Sequence, residues 1–169
     1  MGSWLEARGV NAVDFDLYLV TDRNQTGGRD LLWVLHEALD GGVKAIQLRE
    51  KDLSGRDLFS LAEGLRTMCQ AYHAALFIND RVDVAMAVDA TGVQLSKASL
   101  PIATARALLG LQKIIGVSTH SLQETKEAEQ AGADVAVLRH HDVADADRVV
   151  HVRQLLVARP VARDAHDTA

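Results

Sequence analysis

The sequence predicts an α/β fold of the TIM (β/α)8-barrel type, incomplete at about six βα units. Three observations predict it. Short apolar runs alternate with longer amphipathic ones along the chain. Polar and charged residues cluster just after each apolar run. No Gly-rich phosphate fingerprint follows the first run, which tilts the reading from an open doubly wound sheet toward a barrel.

Each element has its own signal. Phe15–Val20 is the first apolar run. Arg29–Leu39 follows as a helix, with Leu31, Leu32, Leu35 and Leu39 at helical spacing. After the strand Ala45–Leu48, the segment Ser54–Tyr72 opens on an N-cap serine and carries Leu58, Leu61, Leu65 and Met68. Ala75–Ile78 is the third strand and Asp83–Val88 a short helix. Gly92–Leu95 is the fourth strand, and Pro101–Leu109 starts with proline in a first turn. Ile114–Val117 is the fifth. In Ser121–Ala131, Ser121 and Glu124 have capping-box spacing and Gly132 supplies the stop. Val135–Leu138 is the sixth strand. Buried parallel strands are short and apolar in this way.

The 169 residues are enough to bury a core, and 48% hydrophobic with 24% charged is a globular balance. A formal charge of −5 argues against a nucleic-acid partner. No apolar run reaches the roughly 18 residues of a membrane span, so no membrane partner is expected. Cys69 stands alone, which excludes an internal disulfide. No secretory signal is visible, and the expected location is cytoplasmic.

Three regions are expected: an N-terminal extension over 1–14, the partial barrel over 15–138, and an atypical tail over 139–169. All 12 glycines lie at or before Gly132, whereas the tail is built mainly from Val, Ala, Arg, His and Asp. A reading-frame shift near Leu138 is expected to produce such a junction.

The candidate site is built from the residues just past each strand. In a β/α barrel those positions share one rim, where active sites are built. The sequence delivers Thr21-Asp22-Arg23, then Gln47 through Lys51, Asn79-Asp80-Arg81, Gln94 with Ser96 and Lys97, and Ser118-Thr119-His120. Arg49 and Lys51 suit a phosphate or diphosphate, one as a planar fork and the other as a point charge. Gln47 and Asn79 offer donors and acceptors. Asp80 beside a diphosphate suggests a Mg²⁺ ligand. Ser118 adds a hydroxyl donor. Histidine is the side chain best suited to proton transfer near neutral pH, so His120 is the natural proton carrier. Glu50 belongs with the substrate-binding set, or turns inward onto Arg49 to orient it. His36, His73 and Cys69 sit on helices and read as structural.

Residues 15–138 resemble the thiamine-phosphate synthase and thiazole tautomerase superfamily, a set of TIM barrels. Leu17 to Asp22, Gln47 to Asp52, Phe77 to Arg81 and Ile115 to Ser121 carry the resemblance, in order and at the right spacing. It implies a transferase of thiamine biosynthesis that joins hydroxymethylpyrimidine diphosphate to thiazole phosphate and releases pyrophosphate. Both partners are small molecules. The implied substrate-binding residues are Gln47, Arg49, Lys51, Asn79 and Ser118, with Asp80 on Mg²⁺. Arg49 and Lys51, with Ser118, would stabilise charge leaving with the diphosphate.

Two departures from the family pattern shape the alternatives. The synthase carries a second Mg²⁺ aspartate after the fourth strand, where this chain has Ser99. The tautomerase branch also lacks that acid, and its proton-shuttling histidine corresponds to His120. The family's later strands and phosphate-binding glycines are missing from the tail. The alternatives are therefore a tautomerase using His120, or a truncated remnant that at most binds the pyrimidine diphosphate. A wall of about six strands leaves two open edges, which also allows a homo-oligomer.

Overall fold

The computed structural model describes Phe15, residues 17–137 and the backbone of residues 138, 149 and 150. Six parallel strands alternate with helices and curl into a half-barrel. In chain order they are β1 (Tyr18–Val20), α1 (Leu31–Asp40), β2 (Ala45–Leu48), α2 (Gly55–Ala71), β3 (Ala75–Asn79), α3 (Val82–Ala87), β4 (Gly92–Leu95), α4 (Ile102–Leu109), β5 (Ile114–Thr119), α5 (Leu122–Gln130) and β6 (Val135–Leu138). Each strand pairs in parallel with the next.

One expectation is corrected. The edge at β1 is not open, because β7 (Val149–Val150) pairs antiparallel with Tyr18 and Leu19. Two adjacent β-branched residues suit such an edge, where unpaired N–H and C=O groups await partners. The expected extension over 1–14 and the rest of the tail lie outside the described residues.

The period-two alternation of the strands sorts side chains into two cores. Ile46, Leu48, Leu76, Ile78, Val93, Leu95 and Ile115 point outward and are buried beneath the helices with Leu35, Leu39, Leu65 and Cys69. Phe15, Tyr18, Ala45, Ala75, Phe77, Ile114 and Val135 form a smaller cluster on the concave face. Within it the Tyr18 and Phe77 rings meet edge to face at 5.3 Å. Gly92 is required where β4 meets β5: a Cβ there would lie 2.1 Å from the Ile114 carbonyl oxygen.

The helix starts obey local chemistry. Asp30, Ser54 and Ser121 each accept an N–H from the first turn of α1, α2 and α5. The Asp30 cap starts α1 two residues later than the apolar pattern suggested. Glu124 reaches past the N-cap and takes the His120 N–H at 2.7 Å, so the capping pair anchors a rim residue as well as the helix. Gly132 ends α5 with φ +101°.

Candidate active site

The C-terminal ends of the strands surround a cavity of about 520 Å³, a size typical of small-molecule sites. Arg49, Lys51, Asn79, Asp80, Ser118 and His120 all line it. These six came from three separate stretches of sequence, and the parallel sheet brings them to one place. Arg81 and Ser96 also reach the wall.

The segment after β2 divides its side chains by role. Lys51 is exposed and Arg49 partly so. Glu50 is buried and turns inward, but toward β1 rather than onto Arg49. Its carboxylate accepts the Thr21 hydroxyl at 2.7 Å and the Arg23 backbone N–H at 3.1 Å, and pairs with the Arg23 guanidinium at 3.2 Å. Arg23 also clamps Asp52 with both guanidinium nitrogens and holds its carboxyl below the ordinary value. Thus Glu50 lines the cavity while its charge is engaged in holding the β1 and β2 loops together.

After β3 the chain turns sharply, with Asp80 at φ +64°. Aspartate tolerates this left-handed conformation better than most residues. The turn aims Asp80 at the cavity, and its N–H bonds the Gln94 carbonyl at 3.0 Å. Arg81 pairs with Asp83 at 2.6 Å rather than capturing Asp80. That hydrogen bond lowers the Asp83 carboxyl below its usual range. His120 is half exposed on the rim, its Nδ1 3.5 Å from Glu124 Oε2. The His120 backbone N–H, and then its ring, hold the Glu124 carboxyl below its ordinary value.

Not every predicted rim residue lines the cavity: Thr21, Asp22, Arg23, Gln47, Gln94, Lys97 and Thr119 lie off its wall. Gln47 and Gln94 are each about 4% exposed and lie inside the half-barrel, below the cavity. Gln47 Nε2 donates to Tyr18 Oη at 3.3 Å. Tyr18 Oη donates to Gln94 Oε1 at 3.4 Å, and Gln94 Nε2 donates to Ser118 Oγ at 3.1 Å. Burial raises the Tyr18 phenol far above its ordinary pKa. Sequence reasoning placed Thr21 at the rim but missed Tyr18 as a part of the site. The available signal was period two: Tyr18, Gln47 and Gln94 all occupy inward positions of apolar strands.

The donor set for a metal is small. Magnesium takes one or two carboxylates and completes its shell with substrate oxygens and water. Asp80 supplies one carboxylate. Ser99, at the position of the expected second acid, accepts the Ser96 N–H at 2.8 Å and lies 3.1 Å from its hydroxyl, closing its own loop. The set fits a magnesium that arrives with a diphosphate better than one held by protein alone. Among the described residues, His36, Glu37 and Asp40 are also close enough to share an ion, but they are exposed on α1. There Tyr72 bonds both His36 and Asp40.

Helices on the convex side, strand ends on one rim and a cavity at that rim define a protein of the β/α-barrel class. A sequence model described as thiamine monophosphate synthase matches residues 17–154, and the chain belongs to that family. It is 48% identical over 121 residues to a thiamine-phosphate synthase of Clostridium acetobutylicum, covering 72% of this chain and 57% of that protein. With a thiamine-phosphate synthase of Syntrophomonas wolfei the identity is 47% over 121 residues, covering 72% and 58%. A solved structure of thiamine phosphate pyrophosphorylase from Pyrococcus furiosus superposes with a TM-score of 0.70 at 40% identity, over 75% of this chain and 60% of that one. The chain therefore spans less than two thirds of the length of the relatives it matches. No helix among the described residues is long and apolar enough to cross a membrane.

Proposed function

We propose that the chain acts as a cytoplasmic thiamine-phosphate synthase, joining hydroxymethylpyrimidine diphosphate to thiazole phosphate. One observation carries the reading: Arg49, Lys51, Asn79, Asp80 and Ser118 converge on a single cavity in a chain of this family. The family relatives favour the synthase over the tautomerase.

The chemistry assigns the roles. The bond from the pyrimidine methylene carbon to the diphosphate oxygen breaks, and pyrophosphate leaves with the electron pair. The thiazole nitrogen then supplies a pair to that carbon. Such a step needs stabilisation of the departing charge more than it needs a base. Arg49 offers a fork and Lys51 a point charge to the diphosphate. Asn79 and Ser118 donate hydrogen bonds to it, and Glu50 holds the loop that presents Arg49. Gln47 supports the pyrimidine side from below. His120 stands on the same rim. Asp80 would hold Mg²⁺, which when bound neutralises charge on the diphosphate oxygens.

The test supplies both substrates and Mg²⁺ to the folded chain and measures pyrophosphate. Release that depends on both substrates is the expected result. Folded protein that releases none would sink the proposal. Sedimentation velocity on the same sample reads whether the proposed homo-oligomer forms.

A further inference from the structure

The three hydrogen bonds below the cavity have a direction. The Gln47 amide nitrogen can only donate, so Tyr18 Oη must accept there. Tyr18 has one proton, and it goes to Gln94 Oε1, which can only accept. The other end of the same amide, Gln94 Nε2, donates to Ser118 Oγ. Ser118 therefore commits a lone pair to the chain and keeps its own proton for another partner. Ser118 lines the cavity. Tyr18, Gln47 and Gln94 are each under 5% exposed, so bulk water does not compete for these groups.

Gly116 makes the arrangement possible. It stands opposite Gln94 in the β4–β5 register. A Cβ at Gly116 would lie 2.3 Å from Gln94 Oε1 and 3.2 Å from its Cδ. The glutamine amide thus lies flat on the space that a side chain would fill. Burial keeps the Tyr18 phenol protonated, so it remains a donor through neutral pH.

We infer that Tyr18 and Gln94, seated on Gly116, are positioning residues that fix Ser118 as a hydrogen-bond donor toward an anionic group in the cavity. This rests on the proposed function, since it assigns a diphosphate-like ligand to the same cavity. A hydroxyl free to rotate would present lone pairs to an anion part of the time. The chain removes that option before the ligand arrives, which is preorganisation in the electrostatic sense.

The probe is inorganic pyrophosphate with Mg²⁺, titrated calorimetrically into the full chain. Ser118→Ala is expected to weaken binding about tenfold, the effect of one charge-assisted hydrogen bond. Tyr18→Phe keeps the ring and should weaken binding severalfold in the wild-type background but not in the Ser118→Ala background. Gly116→Ala should reproduce the Tyr18→Phe loss by displacing Gln94, and it too should add nothing to Ser118→Ala. Wild-type affinity in both Tyr18→Phe and Gly116→Ala would overturn the inference. So would a loss in Tyr18→Phe that persists undiminished without the Ser118 hydroxyl.

A second measurement needs no ligand. The Gln94 side-chain amide protons, read by NMR, should be shifted and exchange-protected, and should change in Tyr18→Phe and Ser118→Ala. Unchanged signals in both variants overturn the inference even if the chain binds no pyrophosphate. Failure of the wild-type chain to bind pyrophosphate sinks the proposed function, and the amide signals then decide the inference separately.

Discussion

The Thr21 hydroxyl donates to Glu50 Oε1 at 2.7 Å, while Thr21 Oγ1 itself accepts the Arg49 backbone N–H at 3.0 Å. One buried threonine therefore ties the end of β1 to both the buried acid and the cationic residue of the β2 loop. Thr21→Val keeps the shape and removes both bonds. It should cost about 1–2 kcal/mol, read as a lower urea midpoint, and it should weaken pyrophosphate binding through Arg49. Glu50→Ala strands the Thr21 hydroxyl and the Arg23 N–H and should cost more, about 2–3 kcal/mol. Equal stability of both variants and wild type would show that the tie contributes nothing.

Asp80 is the proposed magnesium ligand, and its φ of +64° dictates the test. Asparagine accepts that conformation, so Asp80→Asn removes charge without straining the turn. Calorimetry with pyrophosphate should show that added Mg²⁺ no longer strengthens binding. If the variant keeps the wild-type response to Mg²⁺, the metal is held elsewhere.

Asp134 is 4% exposed and pairs with Arg106, while also accepting the Ile115 N–H at 2.9 Å. Arg106 further donates to the carbonyls of Gly110 at 3.0 Å and Lys113 at 2.7 Å. The pair thus locks α4 to the turns before β5 and β6. Asp134→Ala leaves a guanidinium without its carboxylate in a part-buried site and should cost about 3–5 kcal/mol. Replacing both residues with apolar ones should recover part of that loss. A single variant with a wild-type melting temperature would contradict this account.

Alkaline pH should unfold the chain through two buried groups. Burial pushes the Cys69 thiol from 9.0 up to about 11, and raises the Tyr18 phenol still further. A group whose pKa is higher in the folded state stabilises below its unfolded value, and loses that contribution as pH rises through the folded value. The Cys69 contribution should therefore hold up to about pH 9 and fall away toward 11. Urea midpoints across that window check it. Cys69→Ala should flatten the decline, and a stability that rises over the window would refute it.

Much of the architecture was legible because it is local. Apolar runs of four to six residues between amphipathic stretches can bury themselves in few ways, and the six parallel strands and the five helices fall where that pattern put them, whereas β7 was not foreseen. Arg49, Lys51, Asn79, Asp80 and Ser118 were legible as a group because parallel strands send their C-terminal ends to one rim. Gln47 and Gln94 were misplaced because a residue near a strand end belongs to the rim or to the interior depending on pleat and stagger. A single sequence does not fix that stagger.

By itself, the sequence determined the βα alternation, the caps at Ser54 and Ser121, the stop at Gly132 and the chemical character of the rim. These depend on spacing and on backbone groups a few residues away. The tertiary structure decided the pairings: Glu50 with Thr21 and Arg23, Arg106 with Asp134, β7 against β1, and the Tyr18 to Ser118 chain lying over Gly116. Those partners are far apart in sequence. Their choice depends on sheet register and burial, where the cost of leaving a polar group unpaired selects one arrangement.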